Sequence, residues 1–369
     1  MKAQRSPDEN NMLNNLHYDA LEVLSKLIST PSFSRDEGNS AMIIQQYLAD
    51  KGVKVERILN NVWAVNKEFD PINPTIILCS HHDTVQPNKA YTLDPFDPLI
   101  REGKLYGLGS NDAGAALVAL IGCFLYFYPK KIKYNLIIAA VAEEEISGSN
   151  GIEALLNHLP FKNYLTGEIC AIVGEPTGME MAVAEKGLLV LDCKSTGKAG
   201  HAARDEGDNA IYKAMKDIEW LSTYRFPRVS PLLGPVKMTV TSIDSVNKAH
   251  NIIPSECNYV MDVRVNELYT FEEVTKIISE NISAKAVPRS TRLVSSAIDM
   301  NHPLVKAGLN LGKKSYGSPT TSDKAMIPFP ALKIGPGDSA RSHTADEFIF
   351  VEEISDGMDT YIDLLNQLL

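Results

Sequence analysis

The chain has 369 residues, two to three times the length of a typical domain, so two domains are expected. At 44% hydrophobic and 22% charged it lies in the globular range, which excludes a disordered tail, a collagen-like fibre and a small disulfide scaffold. A net charge of −10 with no basic block argues against nucleic-acid binding, which needs clustered Lys and Arg.

Apolar residues recur at helical spacing over 17–28 (Leu21, Leu24, Leu27, Ile28), and 38–50 reads as a second helix. Short apolar runs then alternate with helical stretches: 75–79, 113–128, 136–142 and 169–173. This pattern predicts an α/β fold, a mostly parallel but mixed sheet sandwiched by helices. The uncharged run 113–128 is 16 residues long, short of the roughly 20 that span a bilayer, and reads as a buried helix. After about residue 181 the character changes. Strands are expected at 188–194, 236–243 and 259–265, with helices at 209–224 and 270–282, an order that suggests a small α+β sandwich. The first pattern resumes at 302–311 and 331–334, and 351–369 closes with a helix. The expected division is therefore 1–180 plus 297–369 as one domain, with 181–296 inserted into it.

Cys79, Cys123, Cys170, Cys193 and Cys257 are odd in number, scattered and mostly in apolar stretches, which predicts free thiols in a reducing compartment. The polar start lacks the apolar core of a signal peptide. Both features predict a cytoplasmic protein with no membrane partner.

The polar residues of interest follow the apolar strands. Run 75–79 leads into Ser80, His81, His82 and Asp83, and 136–142 into Glu143, Glu144 and Glu145. Run 169–173 leads into Gly174, Glu175 and Pro176, and 331–334 into a Gly-Pro-Gly turn with His343 beyond. Strand C-termini of an open parallel sheet share one edge, where the binding crevice lies. Each piece has a plainer reading. His-X-Asp is commonly a surface loop, a Glu triplet a solvated face, Gly-Glu-Pro a turn, and Asp112 the cap of the helix it precedes. Together, four such strand ends and a Gly-rich turn point to metal chemistry. Serine-hydrolase, phosphate-loop and dinucleotide patterns are each incomplete. Carboxylates with imidazoles suit Zn, Co or Mn.

At these residues the sequence resembles the co-catalytic zinc aminoacylase and peptidase family, of the acetylornithine deacetylase and succinyl-diaminopimelate desuccinylase kind. SHHDTV (80–85), LYGLGSNDAGAALVAL (105–120), VAEEEISG (141–148), VGEPT (173–177) and SHTADE (342–347) resemble its metal and base blocks in order. GKAGHAA (197–203), NIIP (251–254) and MDVRV (261–265) resemble features of its lid. The resemblance implies two zinc ions, with Co²⁺ or Mn²⁺ as substitutes, bridged by Asp112. His81 and Glu175 would complete one site, Glu145 and His343 the other. Two zinc ions against three carboxylates leave one positive charge, which a bridging hydroxide balances. Asp83 would orient the His81 ring through its second nitrogen, Glu144 would be the general base, and His82 only a neighbour. His201 would hold the oxyanion, reaching across a homodimer joined through the 181–296 lid. Arg264, pointing inward from a strand, would take an α-carboxylate, with Asn251 beside it. Ser322 and Asp323 match a turn near the acyl pocket, where a structural role stands beside the binding one. The chain departs from the family at Asp112-Ala113-Gly114-Ala115-Ala116 and at Gly107-Leu108-Gly109, which bears on substrate more than on reaction.

Three functions follow. The first is removal of an acetyl or succinyl group from an amino acid such as ornithine or citrulline, in arginine biosynthesis. The second is a dipeptidase or aminopeptidase with the same chemistry. The third is a non-catalytic small-molecule binder, which predicts damaged metal or base positions.

Overall fold

A computed structural model of the chain describes residues 6–204, 206–247 and 249–368, and these divide into two units. The first comprises Met1–Val183, Ile298–Tyr316 and Ile327–Leu369; the second comprises Ala184–Ala297 and Gly317–Met326.

In the first unit, Asn135–Val141, Thr75–His81, Ile169–Val173 and Ala331–Lys333 lie side by side and parallel. The hairpin Val55–Ile58/Asn61–Val65 adds antiparallel to one side, and on the other Ala182, in the first-unit part of strand Met181–Glu185, pairs antiparallel with Lys333. Thr75–His81 and Asn135–Val141 are buried at every residue because both faces are covered. On one face Ile76, Leu78, Leu136 and Ile138 join the core built on helices Pro7–Ile28, Ala115–Phe127 and Val351–Asn366. On the other, Trp63 packs edge-on against Phe161 at 5.2 Å and Tyr164 at 5.6 Å. The first helix starts ten residues before the periodic stretch at 17–28. Ser6 accepts from the Glu9 amide and Glu9 from the Ser6 amide, with Pro7 at the first helical position. Ser110–Phe127 is apolar and long enough to cross a bilayer by composition, but it is almost wholly buried within the protein. Phe124, fully buried on that helix, is expected to destabilise the chain by about 3–5 kcal/mol when changed to Ala. Urea unfolding midpoints of the two proteins measure the loss.

The second unit is an antiparallel sheet in the order Lys237–Ser245, Glu256–Val265, Gly187–Thr196, Lys285–Pro288. Helices Ala210–Thr223 and Phe271–Asn281 cover one face. Along Glu256–Val265 burial alternates strictly, so Cys257, Tyr259, Met261, Val263 and Val265 face that core. Segment 317–326, expected in the larger domain, clusters here instead. Its Ser322 hydroxyl donates to Glu185 Oε1 at 2.8 Å, and both residues are buried. All five cysteines are free and buried.

Candidate metal centre

Four strands of the first unit end at one edge, and the residues just beyond them converge. His81 closes its strand opposite Val141, whose strand leads into the Glu triplet. The bridging position comes from a different element. Gly107 and Gly109 have φ of 144° and 76°, and a Cβ would lie 2.3 Å from Ile28 and 2.6 Å from Thr84, so only glycine fits this turn. The following Asp112 has φ −117° and ψ 101°, outside the helical region, and makes no helix cap. Its carboxylate points to the strand ends.

Two groups of ligand atoms result, each within 4.8 Å: His81, Asp112 and Glu175, then Asp112, Glu145 and His343. Asp112 belongs to both. His81 Nε2 lies 3.3 Å from Asp112 Oδ1 and 3.9 Å from Glu175 Oε1. His343 Nε2 lies 3.0 Å from Glu145 Oε2 and 3.6 Å from Asp112 Oδ2. Burial opposes a charge on His81, yet hydrogen bonds to Asp112 and Asp83 and the charges of Glu144 and Glu175 hold its pKa well above the usual histidine value. Glu145, by hydrogen bonding, pushes His343 up to about 9. The carboxylates thus make a strongly cation-favouring pocket. Imidazole nitrogens and carboxylate oxygens in two triads with a common member fit a pair of divalent cations.

The supporting groups are equally defined. The Asp83 carboxylate accepts the Glu144 amide at 3.1 Å, the Glu145 amide at 3.2 Å and the Ser34 hydroxyl at 2.6 Å. Against His81 Nδ1, the main-chain carbonyl of Asp83 is closer, at 3.0 Å, than its carboxylate, at 3.5 Å. Asp83 therefore addresses the ring chiefly through its backbone, while its carboxylate holds the glutamate loop. Glu144 Oε2 stands 4.0 Å from His81 Nε2, half-buried beside the triads. Glu143 and His343 have φ of 56° and 60°, a strain of about 1–3 kcal/mol each that persists only where neighbours offset it. Glu143 is held by Asn150, which donates from its side chain at 2.8 Å, and by Glu37, which accepts its amide at 3.2 Å. His82 faces away. Its Nδ1 meets Ser40 at 2.8 Å and its Nε2 the Asn60 carbonyl at 2.9 Å, and burial lowers its pKa to about 4.

Glu347 and Asn111 were not singled out by sequence. Glu347 is buried, and its carboxylate accepts the amides of Asn111 at 2.8 Å, Asp112 at 2.9 Å and Gly109 at 3.2 Å. Burial, with the Asp112 charge, pushes Glu347 up to about 7.

In the second unit, His201 is exposed on the short strand Gly200–His201 paired with Ile252–Ile253, and its Nδ1 accepts the Ala203 amide at 3.1 Å. Exposed Asn251 accepts the Ala202 amide through its carbonyl. Arg264 does not point inward: strand alternation gives the core to Val263 and Val265 and puts Arg264 on the open face. There its Nε and Nη2 donate to the two oxygens of Asp262 at 2.9 and 3.0 Å. Ser322 and Asp323 are buried.

Residues 77–367 match the profile of peptidase family M20/M25/M40. The chain belongs to this family. Among M20 relatives it is 28% identical over 360 residues to the succinyl-diaminopimelate desuccinylase of Wolbachia pipientis subsp. Culex pipiens (strain wPip), covering 91% of this chain and 90% of the relative. It is 27% identical over 381 residues to the acetylornithine deacetylase of Proteus mirabilis (strain HI4320), covering 93% and 96%. The fold is also that of the Bacillus subtilis YXEP protein, described as a dinuclear metal binding peptidase from the M20 family, with a TM-score of 0.67 at 15% identity over 95% of this chain and 98% of that one. M20 enzymes are metal-dependent hydrolases, and this chain has the candidate ligand clusters of a dinuclear site.

Proposed function

We propose that the protein is a dinuclear metal hydrolase that removes an N-acyl group from an amino acid, with Zn²⁺ as the metal pair and Co²⁺ or Mn²⁺ as substitutes. The observation that carries this reading is the pair of ligand triads sharing Asp112, with the carboxylate of Glu144, a member of neither triad, beside them. Bound there, two divalent cations would polarise the amide carbonyl and bring the attacking water within reach of deprotonation near neutral pH. Glu144 accepts the water proton at a carboxylate oxygen and returns it to the leaving amine nitrogen. Asp83 keeps Glu144 in place through the Glu144 amide. His201 supplies a donor to the developing oxyanion.

The substrate carries a carboxylate. Arg264 pairs across strands with Lys237, and the buried ammonium of Lys186 donates to the Pro235 carbonyl at 2.7 Å. Only Asp262 is ion-paired to this group of three cations among the described residues. Arg264 takes the carboxylate by exchanging it with Asp262, and Asn251 assists. Ser322 and Asp323 contribute to recognition of the acyl group. Arg264→Lys is expected to raise KM roughly tenfold, since an ammonium does not reproduce the bidentate fork. Steady-state kinetics check this, and an unchanged KM would remove Arg264 from substrate binding.

The relatives' names leave two substrate classes, acetylated ornithine and succinylated diaminopimelate, and with the second a place in lysine rather than arginine biosynthesis. We place the protein in the cytoplasm, which its five free cysteines support. We also propose a homodimer through the second unit, supported by its edge strand Lys237–Ser245 and by exposed Tyr212, Met215 and Ile243. The deciding experiment is amine release from a matched panel: N-acetylornithine, N-acetylcitrulline, their N-succinyl forms, N-succinyl-diaminopimelate and free dipeptides. Cleavage confined to blocked amino acids supports the deacylase; cleavage of free dipeptides alone gives the peptidase reading instead.

A further inference from the structure

We propose that Glu347 is a positioning residue for the paired cation site, holding the bridging Asp112 and the His343 loop in one rigid arrangement. The inference rests on the dinuclear reading above. Antiparallel pairing of Phe348–Phe350 with Lys104–Tyr106 sets Glu347 beside the glycine turn, where its carbonyl accepts the Gly107 amide at 3.0 Å. Its side chain then lies under the turn and gathers three consecutive-loop amides, those of Gly109, Asn111 and Asp112. The Asp112 amide is thereby pinned, and with it the start of the side chain that serves both triads.

The same turn is tied to the segment before His343 from the other direction. The Asn111 side chain donates to the Asp338 carbonyl at 3.1 Å and to Ser342 Oγ at 3.3 Å, and accepts the Asp338 amide at 2.9 Å. Gly337 leaves the room for it, since a Cβ there would lie 2.5 Å from Asn111 Oδ1. Beyond His343, Asp346 accepts the amides of Thr92 and Leu93 at 2.8 and 2.9 Å. His343 itself stands half-exposed at positive φ, so its position depends on these anchors on either side. A carboxylate is required at 347 because three amide donors need two acceptor oxygens. A glutamine would turn an NH₂ group toward one of those amides.

The test is Co²⁺ binding to the full-length, chelator-stripped protein, followed by the visible absorption of the ion. For Glu347→Gln the expected result is a loss of Co²⁺ affinity of roughly tenfold to a hundredfold, the range for residues that orient metal ligands, with an altered spectrum. Glu347→Asp, which keeps two oxygens on a shorter stem, should recover part of the affinity. Thermal unfolding in chelator separates this from a purely structural role, which would lower Tm and leave the affinity of the folded protein unchanged. Affinity within twofold of the parent in both variants overturns the proposal, as does failure of both to fold. Because the readout is Co²⁺ and not turnover, a protein that hydrolyses no N-acyl amino acid still gives a clear answer here.

Discussion

Asp112→Ala is expected to abolish both cation sites at once. Glu145→Ala removes a ligand from one triad and leaves His81, Asp112 and Glu175 together; His81→Ala leaves the other. Asp112 alone belongs to both, and it contributes one of the negative charges that draw His81 and His343 toward the protonated state. Its loss deprives each site of a third of its protein ligands, and structural and catalytic zinc sites use three or four. Metal analysis after dialysis should therefore give well below one ion per chain for Asp112→Ala and about one for Glu145→Ala, with turnover of the former undetectable. Two retained ions in Asp112→Ala would show that the bridge lies elsewhere.

Glu144→Gln is expected to do the reverse, keeping the metal and losing the chemistry. Glu144 is in neither triad, and what fixes its place is its backbone amide, which the substitution leaves on Asp83. The amide side chain has the same shape but cannot take a proton from water. The expected loss in kcat is about three orders of magnitude, within the range for a positioned acid–base group, with full metal content and a KM close to the parent's. Single-turnover kinetics on the metal-loaded variant measure it. A rate within tenfold of the parent would assign the proton to another group.

Much of this was legible because the fold does the assembly. In a parallel sheet the ends of strands far apart in sequence share an edge, so His81, Glu145 and Glu175 could be grouped from the residues that follow apolar runs. Strand Ile169–Val173 and helix Gly38–Asp50 lie where periodicity put them. The hairpin Val55–Ile58/Asn61–Val65 leaves no clear apolar run in the sequence, because its first strand is half-exposed and carries Glu56 and Arg57. The motif at 261–265 suggests an inward Arg264, whereas alternation along the strand gives the core face to Met261, Val263 and Val265. Glu347 sat inside a recognised block, but its partners are amides more than 230 positions earlier, and backbone donors leave no mark in a sequence. Its neighbour Asp346 is anchored in the same way.

The most direct test of the account is a metal titration with turnover as the readout. Protein stripped with a chelator is mixed with rising Zn²⁺ or Co²⁺, and amine release from N-acetylornithine and N-succinyl-diaminopimelate is followed at each step. The account predicts no release from the stripped protein and a rise that levels off at two ions per chain. Release undiminished after complete removal of metal, or none from any blocked amino acid with two ions bound, would contradict it.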